Sequence, residues 1–402
     1  MVVERTVRRS LAGVMSTLVL STMLAHPVAA LTWVPPVGVA ADTAAAWAPA
    51  LAATGPQSAA VIFRETVAGA PAIRVARTID GGASWLAPVT ISSPDAAAVT
   101  RATVAAFGQT VDAVWSQGAD CFTGHCEIRY ARSSDGGATF GRSVRLSSAK
   151  GMAGQASVAR SGSTVVVAWT DAPSGKVLAR VSTDGGTTFE EPVRLDATTN
   201  KQYPNGGAEA FPVLAWCGSD LVSAEMMTRT KLVARRSSDG GRTWTAPTTL
   251  AKNAAPGIAP SAACQGMNAV LAYGQQTSGV TWLAYRRSTD RGATWKPAAV
   301  LAPATAMAAD APVISAAGST FLALFLRCTD AACTAGTGGE GATYLRSSTT
   351  GGATWSAPEQ VASTPQVIHR PVGLGRVGSY LALFTSLDTT TWASSLESRR
   401  GS

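Results

Sequence analysis

The sequence predicts an all-β fold, a single seven-bladed β-propeller of four-stranded antiparallel blades, and three observations predict it. An eight-residue phrase, written Ser237-Ser238-Asp239-Gly240-Gly241-Arg242-Thr243-Trp244 in one copy, occurs six times along the chain. Between copies the text also repeats: a small-residue strand, a Gly-containing turn, a strongly apolar strand, a loop, and a strand running into the next phrase. The start of this unit, at Pro49, Ala102, Ala156, Pro212, Pro260, Pro312 and Pro371, recurs seven times at spacings of 48 to 59 residues. Four short strands per repeat cannot bury their faces alone, and stacking repeats into a ring of blades does so.

The phrase itself reads as a hairpin turn. Asp80, Asp135, Asp184, Asp239 and Asp290 fill its acidic position, and Thr350 stands there in the sixth copy. A short carboxylate accepts bonds from turn amides and hydroxyls, and the glycines supply positive φ. An aromatic five residues after the acid (Trp85, Phe140, Phe189, Trp244, Trp295, Trp355) is expected to start the return strand. Repetition in nearly every unit assigns these aspartates to structure, since one catalytic site does not need the same turn six times.

Blade three shows the unit plainly, with Gln155–Val158, Val165–Trp169, Val177–Arg180 and Val193–Leu195 as its strands. The seventh unit has three strand-like segments, the last at Thr391-Trp392-Ala393, and no phrase. Near the other end, Trp33-Val34-Pro35-Pro36-Val37 reads like the post-phrase segment Trp85-Leu86-Ala87-Pro88-Val89. An N-terminal strand completing the last blade would close the ring and remove two open edges. The alternative is a six-bladed ring with Leu31 to Thr43 as a loose leader.

Met1 to Ala30 has a basic start, an apolar run and a small-residue end at Val28-Ala29-Ala30, the pattern of a secretory signal peptide. The domains expected are therefore 1–30, signal peptide, and 31–398, propeller, secreted and monomeric with no membrane span after cleavage. Arg8-Arg9 leaves the export route open between the general and twin-arginine pathways. The formal charge is +8, and removing Arg5, Arg8, Arg9 and Glu4 with the leader leaves +6. Arg77, Arg132, Arg236 and Arg287 recur one per repeat, each three residues before its aspartate, so the charge is spread around a ring. That distribution argues against nucleic acid.

Six cysteines in an exported chain imply disulfides. Cys121 with Cys126, and Cys328 with Cys333, would each staple one loop, and Cys217 with Cys264 would clasp the first turns of blades four and five. A zinc site would need more than His125 beside Cys126, and neither metal nor cofactor is expected.

The repeated phrase resembles the Asp box, or BNR repeat, of sialidase-like β-propellers, and the resemblance covers nearly all of the chain after residue 30. Such propellers include sialidases, other glycosidases, sorting receptors and assembly factors, so the resemblance implies the fold more sharply than the activity. Sialidases hold a carboxylate with three arginines, the first in an Arg-Ile-Pro phrase before the first box, and use a tyrosine nucleophile with a glutamate partner and an aspartate acid. Here the matching phrase is Trp47-Ala48-Pro49, without arginine, and His369-Arg370-Pro371 is its nearest echo, at the other end of the chain. Tyr130, Tyr273, Tyr285, Tyr344 and Tyr380 fall within expected strands, leaving Tyr203, which could meet Glu209.

The topology puts the phrases on one side of the disc and the loops preceding each first strand on the other. Trp47, Arg101, Gln155, Glu209, Phe211, Asp310, His369 and Arg370 are thus expected to ring the channel mouth. Arg101, Arg370, Glu209, Asp310, His369 and Trp47 are the candidate ligand contacts, and Glu209, Asp310 and Tyr203 are the weak catalytic candidates. Two carboxylates about 5–9.5 Å apart would serve a glycosidase. The sequence therefore points to an exported module binding a glycan or an extracellular protein. An exo-glycosidase of the exo-α-sialidase kind and an extracytoplasmic assembly factor are the alternatives.

Overall fold

Continuous apolar runs such as Val165-Val166-Val167-Ala168-Trp169 have no face to give to water, and they become the second strand of a blade, buried on both sides between neighbours. The computed structural model describes residues 32–40, 49–94, 97–121, 124–148, 151–171, 176–195, 211–277, 280–302, 309–328, 333, 341–364, 367–388, 390 and 394–401. The expected leader lies outside them. Seven four-stranded antiparallel sheets form the blades. Blade 1 runs from Ala50–Gly55 to Leu86–Thr90, blade 2 from Ala98–Phe107 to Val144–Arg145, and blade 3 from Ala153–Ser161 to Val193–Arg194. Blade 4 runs from Val213–Cys217 to Thr248–Ala251, blade 5 from Ser261–Gln265 to Ala299–Ala302, and blade 6 from Ala309–Ala317 to Glu359–Ala362. No helix among the described residues is long and apolar enough to cross a membrane.

Blade 7 settles the count. Val367–Val377, Ser379–Asp388 and Ser394–Gly401 supply three strands, and Val37–Ala40 from the N-terminal side pairs with Ser394–Gly401 as the fourth. Seven blades closed by strand exchange replace the six-blade alternative. The third strand of this blade is Ser394–Gly401, beyond the Thr391-Trp392-Ala393 segment expected for it, which lies outside the described residues. It also carries the ring past residue 398. Its sequence, Ser-Ser-Leu-Glu-Ser-Arg-Arg-Gly, lacks strand-forming side chains, and its extended form comes from pairing on both edges, with Ser379–Asp388 and with Val37–Ala40. Trp33 reinforces the closure by donating from Nε1 to Glu359 Oε1 of blade 6 at 3.0 Å.

The repeated phrase joins the third strand to the fourth, as expected, and its hydrogen bonds show why the residues recur. In blade 4, Ser237 Oγ donates to Asp239 Oδ1 (2.7 Å) and accepts from Gly241 N (2.7 Å). Asp239 accepts from Thr243 N on Oδ1 (2.9 Å) and from the Thr243 hydroxyl on Oδ2 (2.5 Å). The same set holds Asp80, Asp135, Asp184 and Asp290. Thr350 fills the acidic position with a hydroxyl that accepts from Thr354 N at 2.9 Å. The turns of blades 1, 2, 3 and 5 also bond to the first turn of their own blade, as Gly81 N does to Gln57 O and Gly185 N to Ser163 O, so both turn types share one side of the disc.

The aromatic after each turn does not open the fourth strand, which starts one to four residues later. It wedges between blades. Phe189 meets Tyr130 of blade 2 edge-on at 4.9 Å, Trp355 meets Tyr285 of blade 5 at 5.7 Å, and Trp85 Nε1 donates to Ser398 Oγ of blade 7 at 2.9 Å. The second glycine of the turn presses on the same neighbour. A Cβ at Gly292 would lie 2.5 Å from Val222 Cγ2 of blade 4, and one at Gly352 2.6 Å from Val270 Cγ2 of blade 5.

All three cysteine pairs are bonded as the sequence suggests, with Cα separations of 4.7 Å for Cys121–Cys126, 4.9 Å for Cys217–Cys264 and 5.4 Å for Cys328–Cys333. The first and third stiffen loops after second strands, and Cys217–Cys264 ties blade 4 to blade 5 on the turn side.

Three outcomes test this account. Gly292→Ala adds left-handed strain of about 1–2 kcal/mol to overpacking of about 1–3 kcal/mol, whereas Gly257→Ala, at similar φ but facing open space, costs the strain alone; urea melts of both compare them. Truncation through residue 41 removes the closing strand and should lower the melting temperature of the whole ring, with equal melting excluding the closure. The turn carboxylates set the third. The Ser84 hydroxyl chiefly holds Asp80 down to about 2, and the Thr139 hydroxyl does so for Asp135, while Asp184 and Asp239 are also lowered. Because the folded values lie below the unfolded ones near 4, this stabilisation is full above about pH 4 and lost as pH falls toward 2. Thermal melts across that window should show progressive loss.

Candidate functional site

The inner strands of blades 2, 3 and 4 begin with a backbone that ordinary residues avoid. Arg101 (φ 35°), Gln155 (φ 56°) and Phe211 (φ 41°) occupy matching places at these strand starts, on the side opposite the turn phrases, and all have positive φ without being glycine. Arg101 sits where the pairing of its strand slips between Thr100 and Ala102, and Gln155 where it slips between Gly154 and Ser157. A bulge of this kind turns the side chain out of the sheet ladder and re-aims it. Strain held at matching points of three neighbouring blades is a feature of ligand sites.

The consequence is a contact between blades that are not adjacent. The Arg101 guanidinium of blade 2 lies over the ring of Phe211, which leads into blade 4, 4.6 Å from its centroid. Phe211 is buried and belongs to the core between blades 4 and 5. Burial lowers the Arg101 pKa to about 10. A guanidinium in water gives up its proton only above pH 12, so the site holds a partly desolvated cation with an aromatic face on one side.

The other candidates divide. Arg370 lies half-buried in the inner strand of blade 7, opposite Thr385. His369, expected at the mouth, is 3% exposed inside blade 7. Its Nδ1 lies 2.8 Å from Ser386 Oγ and its Nε2 3.0 Å from Thr364 Oγ1, and Ser386 donates onward to Glu397 at 3.0 Å. Burial holds its pKa below the ordinary imidazole value, against the pull of Glu397. The inward turn follows from strand alternation, since His369 pairs with Ser386 and meets Phe384 edge-on. Asp310 is the second residue of the inner strand of blade 6, opposite Leu326. Trp47, Tyr203 and Glu209 lie outside the described residues.

Sequence reasoning missed how thoroughly arginine ties up the buried carboxylates. Arg235 donates from Nε to Glu225 Oε1 at 2.8 Å with both side chains almost wholly buried, and Arg236 holds Asp220 at 2.6 Å. Arg160 of blade 3 pairs with Asp112 of blade 2, which also accepts from the Tyr130 hydroxyl at 2.6 Å. Glu65 with Arg74, and Glu127 with Arg129, complete the set, so each buried carboxylate among the described residues has a guanidinium partner. Of the periodic arginines before the turns, Arg236 belongs to this set, whereas Arg132 donates to the Gly185 carbonyl; the paired carboxylates follow no fixed spacing in the sequence. A further set, Arg235, Arg286 and Arg346, donates to the carbonyls of Thr245, Lys296 and Ser356 after the turns.

No family model matches this chain, and no curated protein matches it. Among solved structures it is similar to the sialidase of Trypanosoma rangeli, with a TM-score of 0.52 and 12% identity over 89% of this chain and 55% of that one. A K499G mutant of NanB sialidase from Streptococcus pneumoniae gives 0.50 and 10% over 90% and 69%. A protein of unknown function from Dyadobacter fermentans gives 0.51 and 15% over 74% and 95%. The chain spans about half the length of the trypanosomal sialidase. At these identities the likeness is one of architecture: in fold, the chain is a sialidase-like β-propeller.

Proposed function

We propose that this protein is an extracytoplasmic recognition propeller that binds an acidic glycan at the channel mouth opposite the turn phrases, with Arg101 as its anion contact. The observation that carries the reading is the partly desolvated guanidinium of Arg101 stacked on Phe211, both on strained backbone. An anionic group supplies the counter-charge that this cation lacks among the described residues, and a planar carboxylate matches its fork of donors. One similarly folded structure, of Trypanosoma rangeli sialidase, is solved with 2,3-difluorosialic acid. The expected signal peptide and the three disulfides favour an oxidising, extracytoplasmic setting.

The competing reading is an exo-glycosidase using Glu209, Asp310 or Tyr203, and the third is an assembly factor with a protein partner. One experiment separates them: hydrolysis of a fluorogenic sialoside by the purified mature protein, alongside binding to a panel of acidic and neutral glycans. Binding without turnover is expected, weakened by about tenfold or more in Arg101→Ala, in line with a lost charge-assisted bond. Turnover abolished by Tyr203→Phe would establish the glycosidase instead. Neither turnover nor glycan binding would move the assignment to a protein partner.

A further inference from the structure

A second polar cleft lies away from the channel, toward the rim between blades 1 and 2. It has a volume of about 550 Å³, within the range of small-ligand sites. It lies between the short fourth strand of blade 2, Val144–Arg145, with the turn before it, and the end of blade 1's fourth strand, Leu86–Thr90, with the segment to Ser93 that follows it. Its lining contains two arginines, Arg129 and Arg142, and no carboxylate.

Gln117 forms its floor and is 6% exposed. The two partners of its amide, Trp115 Nε1 at 2.9 Å and Ser93 N at 3.4 Å, are donors. Only a carbonyl oxygen accepts from both, so Oε1 faces the protein and the amide nitrogen is left to face the cleft. Arg129 is oriented in a similar way. Its Nε and Nη2 are held by Glu127, leaving Nη1 on the cleft side, and Arg145 also reaches Glu127, at 3.7 Å. One carboxylate therefore serves two guanidinium groups, and exposed Arg142 adds a third positive charge. Phe140 supplies an apolar wall and Thr139 a hydroxyl whose proton goes to Asp135, so its oxygen offers the cleft only lone pairs.

We infer that this cleft is a second ligand site, separate from the channel mouth, for an acidic sugar unit: a ring packed on Phe140, acceptors toward Gln117 Nε2, and a carboxylate or sulfate toward Arg129 and Arg142. A buried donor on a rigid floor, a surplus of guanidinium and an aromatic wall are the chemistry that recognises such a unit.

Calorimetric titration of the full mature protein with digalacturonate, a sulfated heparin disaccharide and neutral cellobiose tests it. Gln117→Glu keeps the oxygen that accepts from Trp115 and Ser93 and replaces only the cleft-facing donor, and exposed Arg142→Ala leaves the fold untouched. At least one acidic disaccharide should bind, with affinity about tenfold or more lower in both variants and unchanged in Arg101→Ala, while cellobiose binds weakly. A response to digalacturonate alone assigns the anionic group as carboxylate, and to the heparin disaccharide alone as sulfate. Binding that survives Gln117→Glu, equal binding of cellobiose, or no binding of either acidic sugar overturns the site. Loss in Arg101→Ala alone also overturns it while leaving the channel-mouth reading in place.

Discussion

Blades 1, 3, 4, 5 and 6 of this ring are each fastened to the one before by a glycine with little or no room for a side chain. The second glycine of every turn phrase has φ between 79° and 96° and sits against the preceding blade: Gly82 on Leu381, Gly241 on Val166, Gly292 on Val222, Gly352 on Val270. Two requirements meet at one atom. The backbone must be left-handed to close the turn, and the missing Cβ lets a branched side chain of the neighbour close in. The carboxylate–hydroxyl cage of Asp239 and its equivalents then fixes the turn, and the aromatic that follows wedges into the same interface. What looks in sequence like a local hairpin device is also the joint between blades. Its indifference to charge at Thr350 follows: the cage needs an acceptor for the Thr354 amide, and a hydroxyl serves.

A ring built from such joints still needs closing, and there the chain changes method. Blade 7 has no turn phrase, so its fourth strand cannot be held by one. Val37–Ala40 takes that place by backbone pairing, with Trp33 bonded to Glu359 of blade 6 and Ser398 bonded to Trp85 of blade 1. The closing blade is therefore anchored to both neighbours through side chains that belong to the two ends of the chain. Cys217–Cys264 adds a covalent link between blades 4 and 5, on the side of the disc where the turns lie.

How much of this is legible in sequence depends on the range of each interaction. The turns, the blade count, the exchanged strand and the cysteine pairs can be read because their signals are short and repeated. The polar last strand cannot, since its pairing on two edges and not its own propensity makes it extended. Nor can the pairing of Arg160 with Asp112, or of Arg235 with Glu225, because the partners come from different strands or blades with no common spacing. At the mouth, position alone selects Arg101 and His369 equally. Strand register separates them, sending His369 inward to Ser386 while the bulge at Arg101 sends its guanidinium to Phe211.

That separation bears on what kind of site the mouth is. Elsewhere in the ring, buried arginines are neutralised by a carboxylate or bonded to a turn carbonyl, and their role ends there. Arg101 is partly desolvated against an aromatic ring, on a backbone whose strain of about 1–3 kcal/mol the fold must sustain, and at Gln155 and Phe211 the neighbouring blades sustain the same. A half-buried cation held on a flat apolar face has already lost part of its water, so an incoming anion need not strip a full hydration shell from it. The rim cleft differs in that the buried, pre-oriented group there is the neutral amide of Gln117. One site is organised around a partly desolvated charge and the other around a desolvated donor, which is why a single substitution in each can tell them apart.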